Sequence, residues 1–205
     1  MKLYGGNPSP FFRKARVFLE EKGIPYQTEM LTPFPKTRDL LALHPMGRIP
    51  VLRDGDVVVP DSSVICAYLE RKHPSPALFP EAPADLARAL FLEEYADTQV
   101  GQALGGVFFE RFVKPNVLRQ SIDEARVKEL LEQAVPPVLD YLESQVPGDR
   151  DSVLERFSIA DAALGAQLGN LTFAGVEIDA TRWPRTARYY RALLARPSFE
   201  TAMAR

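Results

Sequence analysis

The sequence predicts a chain of two parts, an α/β part with helices on a small mixed sheet and then a part that is helical throughout. Three observations carry this prediction. Over the first 75 or so residues, short apolar runs ended by turn residues alternate with amphipathic helix patterns. The stretch from His73 to Pro83, "HPSPALFPEAP", is rich in proline and has no periodicity. Proline removes backbone donors and disfavours helix in the residue before it. Beyond that stretch every segment reads at the helical period. The expected division is therefore 1–75 for the α/β domain, 76–85 for a linker and 86–205 for the helical domain.

The elements follow in order. Lys2 to Tyr4 is a short strand ended by Gly5-Gly6. Pro10 to Lys22 is a helix with Phe11, Ala15, Phe18 and Leu19 on its apolar face, stopped by Gly23. Arg13, Lys14 and Arg16 are expected on a solvated face. "PYQTEML" alternates as a second strand, and Lys36 to Leu43 forms a short helix. "RIPVLRDGDVVVP" reads as a hairpin turning at Asp54-Gly55. Asp61 to Lys72 is a helix that places Val64, Ile65, Tyr68 and Leu69 toward a core. In the second part, Leu86 to about Val113 is one long helix. Ser121-Ile122-Asp123-Glu124 has the spacing of a capping box and marks a helix start. Leu131, Val135, Val138 and Leu142 line one stripe, with a bend expected at Pro136-Pro137. Ser158-Ile159-Ala160-Asp161 is a variant box with aspartate in place of glutamate. Two last helices divide at Arg196-Pro197.

Composition narrows the function classes. The formal net charge is -2, and there is no cluster of basic residues of the kind that nucleic acid needs. No run of about 18 apolar residues offers a membrane span, and the N-terminus has no signal-peptide pattern. One cysteine, Cys66, permits no intrachain disulfide, and two histidines without a second cysteine make no familiar zinc site. The expectation is a soluble, cytoplasmic protein that needs no metal and binds neither nucleic acid nor membrane.

Three stretches carry candidate chemistry. Ser9 stands before Pro10 at the start of a helix, where its oxygen can cap the backbone. The same place offers free N–H groups and partial positive charge, which favour an anion such as a thiolate. A hydroxyl there can lower a thiol's pKa from about 8.5 toward neutrality. Pro50 tolerates a strand start, but a cis Ile49-Pro50 bond would turn the Ile49 main chain outward toward an extended ligand. Asp61 and Ser62, between a strand and a helix, can serve as caps or can grip a group bearing both ammonium and carboxylate.

In their order, and with the helical second half, these stretches resemble the cytosolic glutathione transferases of the serine-type classes, of bacterial or tau- and zeta-like kind. "SPFFRKARVFLEEKGIPY" looks like the family's first helix and "LHPMGRIPVLRDGDVVVPDSSVICAYLERKHP" like its glutathione-binding half. "FSIADAAL" is similar to the capping box of its buried core helix and "WPRTARYYRALLARPSF" to its C-terminal end. The resemblance implies a thioredoxin-like N-terminal domain, an all-α C-terminal domain and a homodimer. It also implies glutathione as co-substrate, attacking a small hydrophobic electrophile in a detoxification reaction. Ser9 would stabilise the thiolate, and Ile49 before Pro50 would pair with the peptide's cysteine. Asp61 and Ser62 would hold the γ-glutamyl head, while Arg48 and Lys36 would neutralise the glycine carboxylate. Where Asp61 stands the family more often has glutamate.

Other residues compete for these roles. Tyr4 is a rival to Ser9, and Asn7 is a candidate supporting donor. Cys66 reads as a small core residue, and Asp161 as structural. Tyr95, Gln99, Gln102, Phe108, Phe109 and Phe112 are candidates for an acceptor pocket, or plain core. A glutathione-dependent isomerase or dehalogenase, or a non-catalytic interaction protein on the same scaffold, remains open at this point.

Overall fold

In the computed structural model, which describes residues 1–204, the chain divides into two units. Met1–Pro80 together with residues 197–204 forms the first, and Glu81–Arg196 the second.

The first unit has a four-stranded sheet in the order β2-β1-β3-β4. Its strands are β1 (Lys2–Gly5), β2 (Gln27–Met30), β3 (Val51–Asp54) and β4 (Val57–Pro60). β1 runs parallel to β2 and antiparallel to β3, and β3 and β4 form the expected hairpin. β2 is an edge strand with all four residues exposed, which matches its polar sequence. The helices are α1 (Pro10–Glu21), α2 (Arg38–Leu43) and α3 (Ser62–Lys72). Gly23, at φ 62, ends α1 as expected, because glycine enters the left-handed region without a Cβ penalty.

Four expectations that bear on this unit need correction. Phe12, not Phe11, is buried on α1, because the core face follows Phe12, Ala15 and Leu19. Arg13 and Lys14 are not on a solvated face: they are 0% and 1% exposed, and both find oxygen partners that repay burial. α2 begins at Arg38, capped by the Thr37 hydroxyl, rather than at Lys36. The last helix, α10 (Pro197–Met203), also belongs here rather than with the helical half. Phe199 is buried, and the Ser198 hydroxyl donates to Glu21 at 2.5 Å.

The second unit is helical. α4 (Pro83–Tyr95), α5 (Gly101–Phe108) and the turns Ala96–Val100 and Phe109–Leu118 form one continuous helical run, longer than the sequence suggested. Its π-helical turns carry it past Pro115 to Leu118. α6 (Glu124–Glu129) starts three residues after Ser121, because the Asp123 carboxylate caps the Arg126 N–H at 3.0 Å. Pro136 and Pro137 open α7 (Val135–Gln145) after the π-turn Leu130–Ala134, where proline's missing N–H costs little. α8 (Ile159–Phe173) is buried along nearly its whole length and α9 (Pro184–Leu194) packs on it. An all-round apolar helix such as α8 is the centre of a core. Asp161 makes it possible. Its carboxylate accepts from Ser158 N, Ser158 Oγ, Val153 N and Tyr189 Oη, all between 2.8 and 3.1 Å. No helix among the described residues is long and apolar enough to cross a membrane.

Candidate functional site

Sheet register gathers the sequence-predicted residues before any side chain is considered. Tyr4 pairs with Val51, and Val51 pairs with Pro60. The end of β1, the start of β3 and the end of β4 therefore meet at one end of the sheet. From that end the chain leads to Ser9 through Gly5, enters from Ile49-Pro50, and leaves into Asp61 and Ser62. The Ile49–Pro50 peptide is cis.

Ser9 is the N-cap of α1, with Pro10 at the first helical position. Its Oγ accepts from Phe12 N at 3.4 Å, long against the usual ~2.9 Å, and among the described residues its own proton has no acceptor. The turn before it is tied at Ser9 N to Gly6 O, 2.9 Å. Two α1 cations hold the residues ahead of Ser9. Arg13 Nη1 donates to Asn7 O at 3.0 Å and Pro8 O at 2.8 Å. Arg16 Nη1 donates to Asn7 Oδ1 at 2.7 Å, while the Asn7 amide nitrogen donates to Ala204 O. Both ends of the Asn7 side chain are thus engaged, the amide nitrogen using one of its two protons. Gly5 is needed for close approach, since a Cβ there would meet the Phe12 ring at 2.3 Å.

Asp61 caps α3, its Oδ1 accepting from Ser63 N (2.9 Å) and Val64 N (3.3 Å). It does so at φ 75, outside the ordinary region for a residue with a Cβ, a conformation that costs ~1–3 kcal/mol. Ser62 is buried, and Lys14 Nζ donates to Ser63 Oγ at 2.9 Å, joining α1 to the start of α3. Lys36 is exposed, but its ammonium donates to Met46 O at 3.0 Å and its stem lies against Gly47. Arg48 is exposed and Ile49 half-buried.

His44 joins this group unannounced by the sequence. It is 2% exposed, and its Nδ1 accepts from Met46 N at 3.2 Å. Burial pushes its pKa below the ordinary 6.5. The Asp61 carboxylate opposes that shift, and the Arg48 and Lys36 cations reinforce it. The charges of Asp61, Arg48 and Lys36 are thus all felt at one imidazole. Arg13 and Lys14 were likewise missed, because a charged run on a helix ordinarily faces water. No spacing in the sequence signals their burial, because residues 12 to 15 step most of the way round the helix.

Of the other candidates, Tyr4 is buried in β1 at this same end of the sheet, and Cys66 is buried in α3. The six proposed pocket residues split. Phe108 and Phe112 stack at 5.2 Å and meet Phe173 edge-on, whereas Tyr95 packs with Phe91 and Tyr141. Gln99, Gln102 and Phe109 are exposed. An open cleft of about 460 Å³, lined by Arg16, Glu20, Tyr26 and Thr28 among others, shares none of the predicted glutathione-binding residues.

A mixed four-stranded sheet with a capped helix at one end, followed by helices built on a buried capping box, defines a thioredoxin-like domain with an all-α partner. Comparison with known proteins gives the family. "Glutathione S-transferase, N-terminal domain" matches residues 8–72 and "Glutathione S-transferase, C-terminal domain" matches residues 119–192. The probable glutathione S-transferase GSTF2 of Oryza sativa subsp. japonica is 31% identical over 97% of this chain and 93% of its own length. The stringent starvation protein A homolog of Pasteurella multocida is 27% identical over 97% of this chain and 88% of its own. A solved glutathione S-transferase from Methylobacterium radiotolerans, in complex with glutathione sulfonate, superposes with a TM-score of 0.79. That structure is 30% identical and covers 98% of this chain, which covers 93% of it. The chain belongs to the glutathione S-transferase family.

Proposed function

We propose that this protein conjugates the glutathione thiolate to small hydrophobic electrophiles, with Ser9 donating a hydrogen bond to the sulfur. The thiolate sulfur forms a bond to the electrophilic carbon. The electron pair leaves with the displaced group or is taken up by the adjacent unsaturated bond, and the thiol proton goes to solvent. The observation that carries the reading is Ser9 at the N-terminus of α1, its hydroxyl proton uncommitted and its capping bond long. Free N–H groups and the helix dipole there favour negative charge, so the nucleophile is activated without a metal. The reading extends to Ile49 before Pro50 for the cysteinyl main chain, and to Asp61 and Ser62 for the γ-glutamyl head. It gives Arg48 and Lys36 the glycine carboxylate. Lys36 would exchange its Met46 carbonyl for the ligand. A cytoplasmic homodimer acting in detoxification completes the proposal, and the glutathione sulfonate bound in the Methylobacterium structure supports the choice of co-substrate.

A second reading has its own observation: the likeness to a stringent starvation protein over nearly the whole chain, which favours an interaction protein on this scaffold. Calorimetric titration with reduced glutathione separates the two. Binding in the micromolar-to-millimolar range, by wild type and Ser9→Ala alike, is expected for the enzyme. Turnover of a chromogenic electrophile should then fall at least about tenfold in Ser9→Ala, a loss of ~1.4 kcal/mol of transition-state stabilisation. No glutathione binding by wild type would transfer the assignment to the interaction reading. Unchanged turnover in Ser9→Ala would remove the serine from the mechanism.

A further inference from the structure

We propose that Arg13 is the positioning residue for Ser9, fixing the turn from which the hydroxyl reaches the sulfur; this rests on the thiolate-stabilising reading of Ser9. A guanidinium with no exposure is costly unless its donors are satisfied. Arg13 directs one nitrogen at two main-chain carbonyls, Asn7 O and Pro8 O, in the two residues immediately ahead of Ser9. Residues 7–9 lie between β1 and α1, and Pro8 has no N–H with which to tie itself into a turn. One main-chain bond, Ser9 N to Gly6 O, closes the turn, and side chains of α1 hold its two middle residues. Arg16, one turn further on the same face, holds the Asn7 side-chain oxygen as a second strut. Ser9's own bond to Phe12 N is long, so local capping alone holds the residue weakly. A charged planar fork suits this task because it fixes direction as well as distance, which a lysine ammonium does not. Arg13 acts through the backbone that presents Ser9.

The test compares Arg13→Gln and Arg13→Lys with Ser9→Ala and wild type. The measurements are calorimetric glutathione affinity, the pH dependence of the bound thiolate's ultraviolet absorbance, and kcat against pH. With Arg13→Gln, glutathione affinity should stay within about threefold. The apparent thiol pKa should rise by about one unit, lowering kcat near neutral pH about tenfold and restoring it in alkaline solution. Arg13→Lys retains the charge and most of the volume, and should show a smaller rise of the same sign. If Arg13→Gln does not fold, the lysine variant decides alone. A kcat that falls equally at all pH values with an unmoved midpoint would mean a structural role only and would overturn the proposal. If Ser9→Ala itself leaves the midpoint at its wild-type value, the serine reading has failed and this proposal fails with it. A midpoint that moves in Ser9→Ala but not in either Arg13 variant overturns the positioning role alone.

Discussion

Replacing Asp161 by alanine should unfold the second unit's core helix start while leaving the first unit's chemistry in place. The magnitude follows from its partners. Oδ1 accepts from Val153 N and Tyr189 Oη, and Oδ2 from Ser158 N and Ser158 Oγ. The two hydroxyls can rotate toward other acceptors, but the two main-chain N–H groups cannot. A buried donor left unpaired costs ~1–3 kcal/mol, so Asp161→Ala should cost about 4 kcal/mol. That is a large share of a typical stability of ~5–15 kcal/mol. Asparagine is the informative control. It keeps one oxygen, so either Val153 N or Ser158 N faces an N–H instead of an acceptor, and the cost should be near 2 kcal/mol. Trp183, the chain's one tryptophan, lies in the second unit and is buried there, so its fluorescence during urea unfolding reports the right transition. A loss below ~1 kcal/mol in the alanine variant would refute the reasoning. So would an asparagine variant as unstable as alanine, because charge and not the count of orphaned donors would then decide.

Two further outcomes concern pH. His44 is held neutral by burial, its folded pKa lying below the unfolded ~6.5. As pH falls through ~6.5 the unfolded chain therefore gains a proton that the folded chain refuses, and stability declines until the folded value is passed. His44→Asn should remove that part of the acid loss in circular-dichroism urea titrations at neutral and mildly acidic pH; equal losses in both proteins would contradict it. For Glu143, burial raises the carboxyl pKa, but hydrogen bonds from Thr186 N, Arg185 N and Thr186 Oγ outweigh it and set the folded value below 4.5. Glu143→Gln should cost ~1 kcal/mol at pH 7 by loosening the start of α9, with the difference fading as pH drops below about 4.5. A difference that persists unchanged at pH 3 would sink the explanation.

The parts of the fold that declared themselves in the sequence are those fixed by local chemistry. Pro10 after Ser9, Gly23 after α1, the Asp54-Gly55 turn and the Ser158–Asp161 box each determine a boundary within a few residues. Boundaries failed where two local signals competed. Ser121 and Asp123 are both competent caps, and the choice went to Asp123, whose N–H is also fixed by the buried Glu110 carboxylate thirteen residues earlier. The site shows the same division. Ser9, Pro50, Asp61 and Ser62 sit at junctions that turn chemistry makes visible. His44, Arg13 and Lys14 matter through partners brought near only by tertiary structure, and a helix bearing "FFRKAR" gives no local reason to bury its cations. α10 was misassigned for a related reason: its pattern says helix, but its neighbour is Glu21, 177 residues away along the chain.

That last contact bears on how the protein is made. The first unit is written in two pieces of the gene with the entire second unit between them. On a ribosome working at ~5–20 residues per second, Ser198 emerges on the order of ten seconds after the stretch up to Pro80 has been released. During that interval the sheet, α1 and α3 exist without the helix that receives Glu21, and Asn7 waits for the Ala204 carbonyl. The second unit, being continuous, is free to fold first. The turn that carries Ser9 is thus among the last parts of the molecule to be finished, whatever its place near the start of the message.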